Sequence, residues 1–305
     1  MQRRNFIKNI SLGGAAAAVA GGQSLSAYAS TKKAGETFNL DYAPHFGMFK
    51  GHAGDDLMDQ LKFMADQGFR SLEDNGLLGR PIEVQNKIGE QLEKLGMRMG
   101  VFVIDAGDNW KISLTTGKKE FVDTFVKVCK DSVEAAKRVN AKWATVVPGF
   151  FERNLPIGVQ TGNVIEALKR GTEILEPHGL TMVLEPLSDT PELFLRTSDQ
   201  TYAICKAVGS SSCKILYDIY HMQKNEGNLI FNMDKCWEEI AYIQIGDNPG
   251  RKEPGTGEIN YLNVFKHIDS KGFKGILGME HGNALPGKEG EQALIAAYRK
   301  ADQFK

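Results

Sequence analysis

Apolar and polar positions follow two rhythms along this chain. Short apolar runs predict strands at Phe38–Tyr42, Ser71–Asp74, Met99–Ile104, Trp143–Val147, Thr181–Glu185, Lys214–Asp218, Ile240–Ile245 and Ile276–Glu280. Between and after them, longer segments place apolar residues at three- and four-residue intervals. These predict helices over Asp55–Gln67, Ile82–Leu95, Glu120–Val139, Asn163–Glu176, Ser198–Val208, Leu229–Glu238, Tyr261–Ser270 and Glu291–Gln303. Gly96 and Gly179 follow helical runs and suit left-handed C-terminal caps, and Pro81 stands where a first helical turn tolerates proline. Unbroken strand–helix alternation predicts a parallel sheet, and eight units suggest closure into a (β/α)8 TIM barrel. An open doubly wound sheet is the alternative, but no GxGxxG or P-loop motif supports it. No Pro/Ser-rich linker interrupts the pattern, so residues 30–305 are expected to form a single domain.

The first 29 residues break this rhythm. Arg3-Arg4-Asn5-Phe6-Ile7-Lys8 is followed by an Ala/Gly stretch from Gly13 to Gly22, and Ala27-Tyr28-Ala29 supplies small residues where a signal peptidase reads them. The order resembles a twin-arginine export signal, with Gln2 where Ser or Thr is usual. The apolar stretch is shorter than the ~20 residues a spanning helix needs. The expectation is a periplasmic protein, exported folded and not membrane-bound once the signal is removed. Changing Arg3→Lys together with Arg4→Lys is then expected to trap the precursor in the cytoplasm. Immunoblots of cell fractions check this, and unchanged export refutes it.

Composition narrows the partner. The whole chain carries a net charge of −1, and losing Arg3, Arg4 and Lys8 with the signal takes it to −4. A mildly acidic domain argues against nucleic acid. Cys129, Cys205, Cys213 and Cys236 show neither CxxC nor zinc-site spacing and are expected to be buried small hydrophobes, although an exported chain leaves one disulfide open.

The candidate chemistry lies in the last four strands. Leu184-Glu185-Pro186 ends strand five, and Leu216-Tyr217-Asp218-Ile219-Tyr220-His221 runs through the end of strand six. Ile243-Gln244-Ile245-Gly246-Asp247 places Gln244 on strand seven, and Leu277-Gly278-Met279-Glu280-His281 ends strand eight. In a barrel these ends converge on one mouth, where the active sites of this fold sit. Singly, each residue has an ordinary explanation: a solvated glutamate, an unremarkable glutamine, an aspartate capping the next segment. Together, on four consecutive strands, Glu185, Asp218, Gln244 and Glu280 form an all-oxygen set whose burial calls for a compensating cation. Oxygen donors suit Mg²⁺ or Mn²⁺, with Zn²⁺ or Co²⁺ also admissible.

These motifs, with Gly257-Glu258-Ile259-Asn260-Tyr261, resemble the hydroxypyruvate isomerase branch of the xylose isomerase-like TIM-barrel superfamily, a group that also holds ketose 3-epimerases. The resemblance is detailed from Thr181 to about Gly282, and before that it is one of rhythm alone. It implies that Glu185, Asp218, Gln244 and Glu280 hold one divalent metal and that Glu185 and Glu280 also act as the acid/base pair. It makes His221 a substrate contact and Arg251 a substrate-orienting arginine. Gln244 leans toward hydroxypyruvate isomerases, since the epimerases usually carry His there. The implied chemistry moves a carbonyl to the adjacent carbon, or inverts the carbon beside it, through an enediolate in a small sugar or keto-sugar.

Three other readings compete. A keto-glycoside lyase would begin with the same proton abstraction, and a non-catalytic sugar-binding barrel would not need paired glutamates. A metal-dependent endonuclease of the endonuclease IV kind would need a His-rich zinc cluster, and this chain has 6 His. His45 and His52 flank the first strand–helix loop and are further candidates for substrate contact, whereas His178 and His267 read as surface or packing residues. Trp110 reads as aromatic packing or a sugar-site wall, and Glu73 and Asp74 as a salt bridge or polar network or as a substrate contact. The pattern leaves substrate, metal and any homo-oligomer open.

Overall fold

The structure is a computed structural model and describes residues 36–305. The expected export signal therefore lies outside the described residues. Eight parallel strands follow in order: β1 (Tyr42–Ala43), β2 (Ser71–Leu72), β3 (Arg98–Met99), β4 (Trp143–Val146), β5 (Thr181–Leu184), β6 (Cys213–Asp218), β7 (Ile240–Gln244) and β8 (Leu277–Gly278). Six of them form one hydrogen-bonded sheet in the order β1-β8-β7-β6-β5-β4, and β2 pairs with β3. Single parallel bridges, His45 to Glu73 and Val103 to Thr145, join the two pieces on either side. The result is the (β/α)8 barrel that the alternation predicts.

Helices cover the outside of the ring. The helix Lys119–Val139 buries Val122, Phe125, Val128, Cys129, Val133 and Ala136, a spacing of three and four that turns one apolar stripe inward. The helix Leu57–Asp66 starts where the Asp56 carboxylate accepts the Met58 and Asp59 amides. The helix Ile82–Leu95 ends at Gly96 with φ +64°, the left-handed cap that glycine adopts without steric cost. All four cysteines are free and buried. No helix among the described residues is long and apolar enough to cross a membrane.

Several boundaries differ from expectation. The first strand does not span Phe38–Tyr42. The amides of Asn39 and Leu40 donate to the Asp302 carboxylate, at 2.7 and 3.3 Å, rather than to a neighbouring strand, and the Tyr42 hydroxyl joins them at 2.9 Å. A charged acceptor from the far end of the chain thus replaces the ladder there. The fifth helix begins at Ile157, directly after Pro156, and the last at Gly287, after Pro286. Two short helices, Lys50–Ala53 and Ile219–Asn225, are too brief to show a period in sequence.

Candidate active site

Strand alternation lifts the candidate ligands to the mouth. Val183 and Glu185, Leu216 and Asp218, and Tyr242 and Gln244 are each two residues apart and so share the inward face of β5, β6 and β7. The lower member of each pair packs with Ala43, Val101 and Ile276 in a fully buried cluster that fills the barrel interior. The upper members stand above it, and Glu280 follows two residues beyond β8.

Four of the predicted residues meet directly. Glu185, Asp218, His221 and Glu280 each present one ligand atom, and these atoms lie within 4.8 Å of one another. Asp218 divides its carboxylate between two tasks. One oxygen caps the helix Ile219–Asn225, accepting the amides of Tyr220 at 2.7 Å and His221 at 3.3 Å. The other faces Arg251, whose Nη2 donates to it at 3.3 Å and to Glu280 Oε2 at 2.9 Å, and lies 3.1 Å from His221 Nε2. The capping role and the site role are therefore both present in one side chain. Gln244 is paired in register with Asp218 and Gly278. Its Nε2 donates to Glu73 Oε1 at 2.8 Å, and its Oε1 is buried with no hydrogen-bond partner.

The loop after β7 places Arg251. Asp247 is fully buried and accepts from the amides of Gly255 (2.8 Å), Gly257 (2.9 Å) and Ile259 (3.1 Å). This folds the loop back over the mouth, with Arg251 itself at φ +50°, a conformation uncommon outside glycine. The guanidinium lies 5.1 Å from the centre of the Tyr220 ring, which adds a cation–π contact. Opposite, the Ser188 hydroxyl lies 2.7 Å from His221 Nδ1 and fixes that ring from the loop after β5.

The electrostatics are those of crowded acids. Burial, followed by the Asp218 charge, raises the Glu185 carboxyl well above the usual carboxylate range. Burial, followed by the charges of Glu185 and Asp218, does the same to Glu280. Burial holds His221 below its ordinary value against the opposing pull of Asp218. A divalent cation among these groups would offset both the burial and the repulsion. The residues fit one: Glu185 Oε1 and Gln244 Oε1 are buried oxygens without partners, beside the carboxylates of Asp218 and Glu280. The set carries no thiolate, which suits a hard ion.

The remaining candidates fall outside the cluster or beneath it. His52 pairs with Glu291 at 2.5 Å, and the two ring nitrogens of His45 face the carbonyl oxygens of Phe46 and His281. Trp110 packs against Phe150, their ring centres 5.6 Å apart, and His267 pairs with Asp234 at 3.0 Å. Asp74 makes a salt bridge to Arg80 at 2.6 Å, and Glu73 enters a buried network with Gln244 and Tyr242. Asn75 has no part in the sequence reading, yet its Nδ2 donates to Glu280 Oε1 at 3.1 Å while its own buried Oδ1 has no partner. Its position directly after Glu73-Asp74 at a strand end is the one signal that points to it.

Known proteins share this arrangement of sequence and fold. Residues 61–301 match the family described as xylose isomerase-like TIM barrel. The 2-oxo-tetronate isomerase of Cupriavidus necator is 35% identical over 242 residues, covering 77% of this chain and 89% of that protein. The hydroxypyruvate isomerase of Escherichia coli is 34% identical over 147 residues, 48% of this chain and 55% of that relative's length. A crystal structure of the Escherichia coli 3-keto-D-glucoside 4-epimerase superposes with a TM-score of 0.72 at 17% identity, covering 86% of this chain and 99% of that one, a likeness of fold. The chain thus belongs to the xylose isomerase-like TIM barrel family and sits among its isomerases.

Proposed function

We propose that this chain is a divalent-metal-dependent isomerase that shifts a carbonyl between adjacent carbons of a small hydroxy-keto acid or keto-sugar. The observation that carries the reading is the meeting of two glutamates, buried Glu185 just past β5 and half-buried Glu280 just past β8, with Asp218, His221 and Arg251 at one mouth. Glu185, Asp218, Gln244 and Glu280 would hold the ion, which supplies positive charge to stabilise the enediolate. The protein's own groups do the rest. One glutamate takes the proton from the hydroxyl-bearing carbon, the other returns a proton at the former carbonyl carbon, and the hydroxyl proton passes to the former carbonyl oxygen. Burial and the neighbouring acids raise the carboxyls of Glu185 and Glu280, the direction that makes a carboxylate a stronger base. Arg251 offers a fixed cation to a substrate carboxylate or oxyanion, and His221, held by Ser188, orients a hydroxyl.

The names of the relatives make hydroxypyruvate and 2-oxo-tetronate the first substrates to test. Each would be incubated with the Mn²⁺- or Mg²⁺-loaded protein in deuterated water and followed by NMR. The expected result is an isomer of equal mass apart from one deuterium on the carbon that receives the proton. A keto-glycoside incubated in parallel should be left intact, and its cleavage with release of an aglycone would replace this reading with the lyase. Binding with neither label nor product would replace it with the sugar-binding barrel.

A further inference from the structure

The buried acid below the site is not one of the expected ligands, and its hydrogen bonds reach one of them. We propose that Glu73 is a positioning residue that decides which end of the Gln244 amide is presented to a metal ion. The inference rests on the metal reading above and concerns a different side chain.

An amide can present either an oxygen, which binds a cation, or an NH2 group, which cannot. Gln244 alone has no preference, since both ends are similar in size. Glu73 Oε1 accepts from Gln244 Nε2 at 2.8 Å, and that bond directs the nitrogen downward and away from the mouth. Gln244 Oε1 is then the end left buried without a partner. Glu73 cannot turn to offer anything else, because its second oxygen accepts from the Tyr242 hydroxyl at 3.0 Å. The space for this network is cleared by two glycines on neighbouring strands. A Cβ at Gly278 on β8 would overlap the Glu73 carboxylate, and one at Gly100, just past β3, would overlap the Tyr242 hydroxyl. The chain therefore gives up two side chains inside the barrel to seat one carboxylate under one amide.

A glutamine in place of Glu73 would have one oxygen and one NH2 group, so it could face Gln244 either way. In one of those pairings Gln244 is flipped and its nitrogen faces the ion. Glu73→Gln is accordingly expected to weaken Mn²⁺ binding by about 10–100-fold, the usual cost of losing a residue that orients a ligand. The readout is the Mn²⁺ dissociation constant by calorimetry, with the melting temperature of metal-free protein as a check on folding. The swapped pair Glu73→Gln with Gln244→Glu restores a carboxylate opposite an amide and removes the ambiguity at position 244, so Mn²⁺ affinity should recover. A purely structural role would lower the melting temperature and leave the dissociation constant unchanged, and that result overturns the proposal. So does a well-folded swapped pair that fails to recover. A third measurement needs no variant: the Gln244 side-chain NH2 protons of the wild-type protein should exchange slowly with solvent before and after Mg²⁺ is added. Exchange at the rate of a free glutamine side chain overturns the proposal. Wild-type protein that binds no Mn²⁺ removes the metal reading and this inference together, whereas equal binding by wild type and Glu73→Gln removes this inference alone.

Discussion

Glu185→Gln and Glu280→Gln are each expected to cut turnover by about 10²–10⁴-fold, the usual contribution of a general acid–base group. The amide is nearly isosteric and keeps an oxygen able to face the ion, but it can neither take nor give the proton. The two variants should differ in their side effects. Glu185 has an unpartnered buried oxygen, so the substitution disturbs no hydrogen bond at that atom. Glu280 accepts from both Asn75 and Arg251, and an NH2 group turned toward either donor would push it away. Glu280→Gln is thus the variant expected to raise KM as well as lower kcat. Steady-state kinetics with metal in excess, and metal content measured in parallel, separate the two effects. Full turnover by either variant at wild-type metal occupancy would remove that glutamate from the chemical step.

Asp218→Ala is expected to abolish both metal retention and activity while leaving the barrel folded. A saturating ion at about 100 times its dissociation constant adds about 2.7 kcal/mol to wild-type stability. The variant should show no such gain, and elemental analysis should find it empty. It also loses the cap of the helix Ile219–Asn225, at a cost of about 1 kcal/mol. Asp218→Asn distinguishes the two losses. Its oxygen can still cap the helix, while its NH2 group replaces the oxygen that faces Arg251. Metal binding should fail in Asp218→Asn with less of the cap penalty. A metal-dependent rise in melting temperature equal to wild type in either variant would exclude Asp218 as a ligand.

The sequence is most legible where a candidate site residue stands at a strand end. Glu185, Asp218 and Gln244 each stand two positions above a buried apolar residue, and period-two alternation makes such residues neighbours without any knowledge of the loops. No spacing from Gln244 places Arg251, because its position depends on one buried aspartate gathering three amides 8 to 12 residues further on. No periodicity encodes that. The short first strand has a similar origin, since Asp302 takes the amides of Asn39 and Leu40 from the opposite end of the chain. Glu73 and Asp74 show a third limit. Adjacent acids at one strand end look alike in sequence, yet one sits inside the barrel under Gln244 and the other pairs with Arg80.

The two-piece ring has an evolutionary consequence. Every expected metal ligand lies on or just beyond the strands of the continuous six-stranded ladder, whereas β2 and β3 join it on each side through one bridge. Beyond β3, β4 and β5, loops are stitched to one another, with the Phe150 amide donating to the Trp110 carbonyl and the Phe151 amide to that of Glu192. The loops lie outside the ladder that spaces the candidate oxygens of Glu185, Asp218 and Gln244. Under the proposed function, exchanges in these loops would reshape what the mouth admits while the strand ends that carry Glu185, Asp218, Gln244 and Glu280 keep their places.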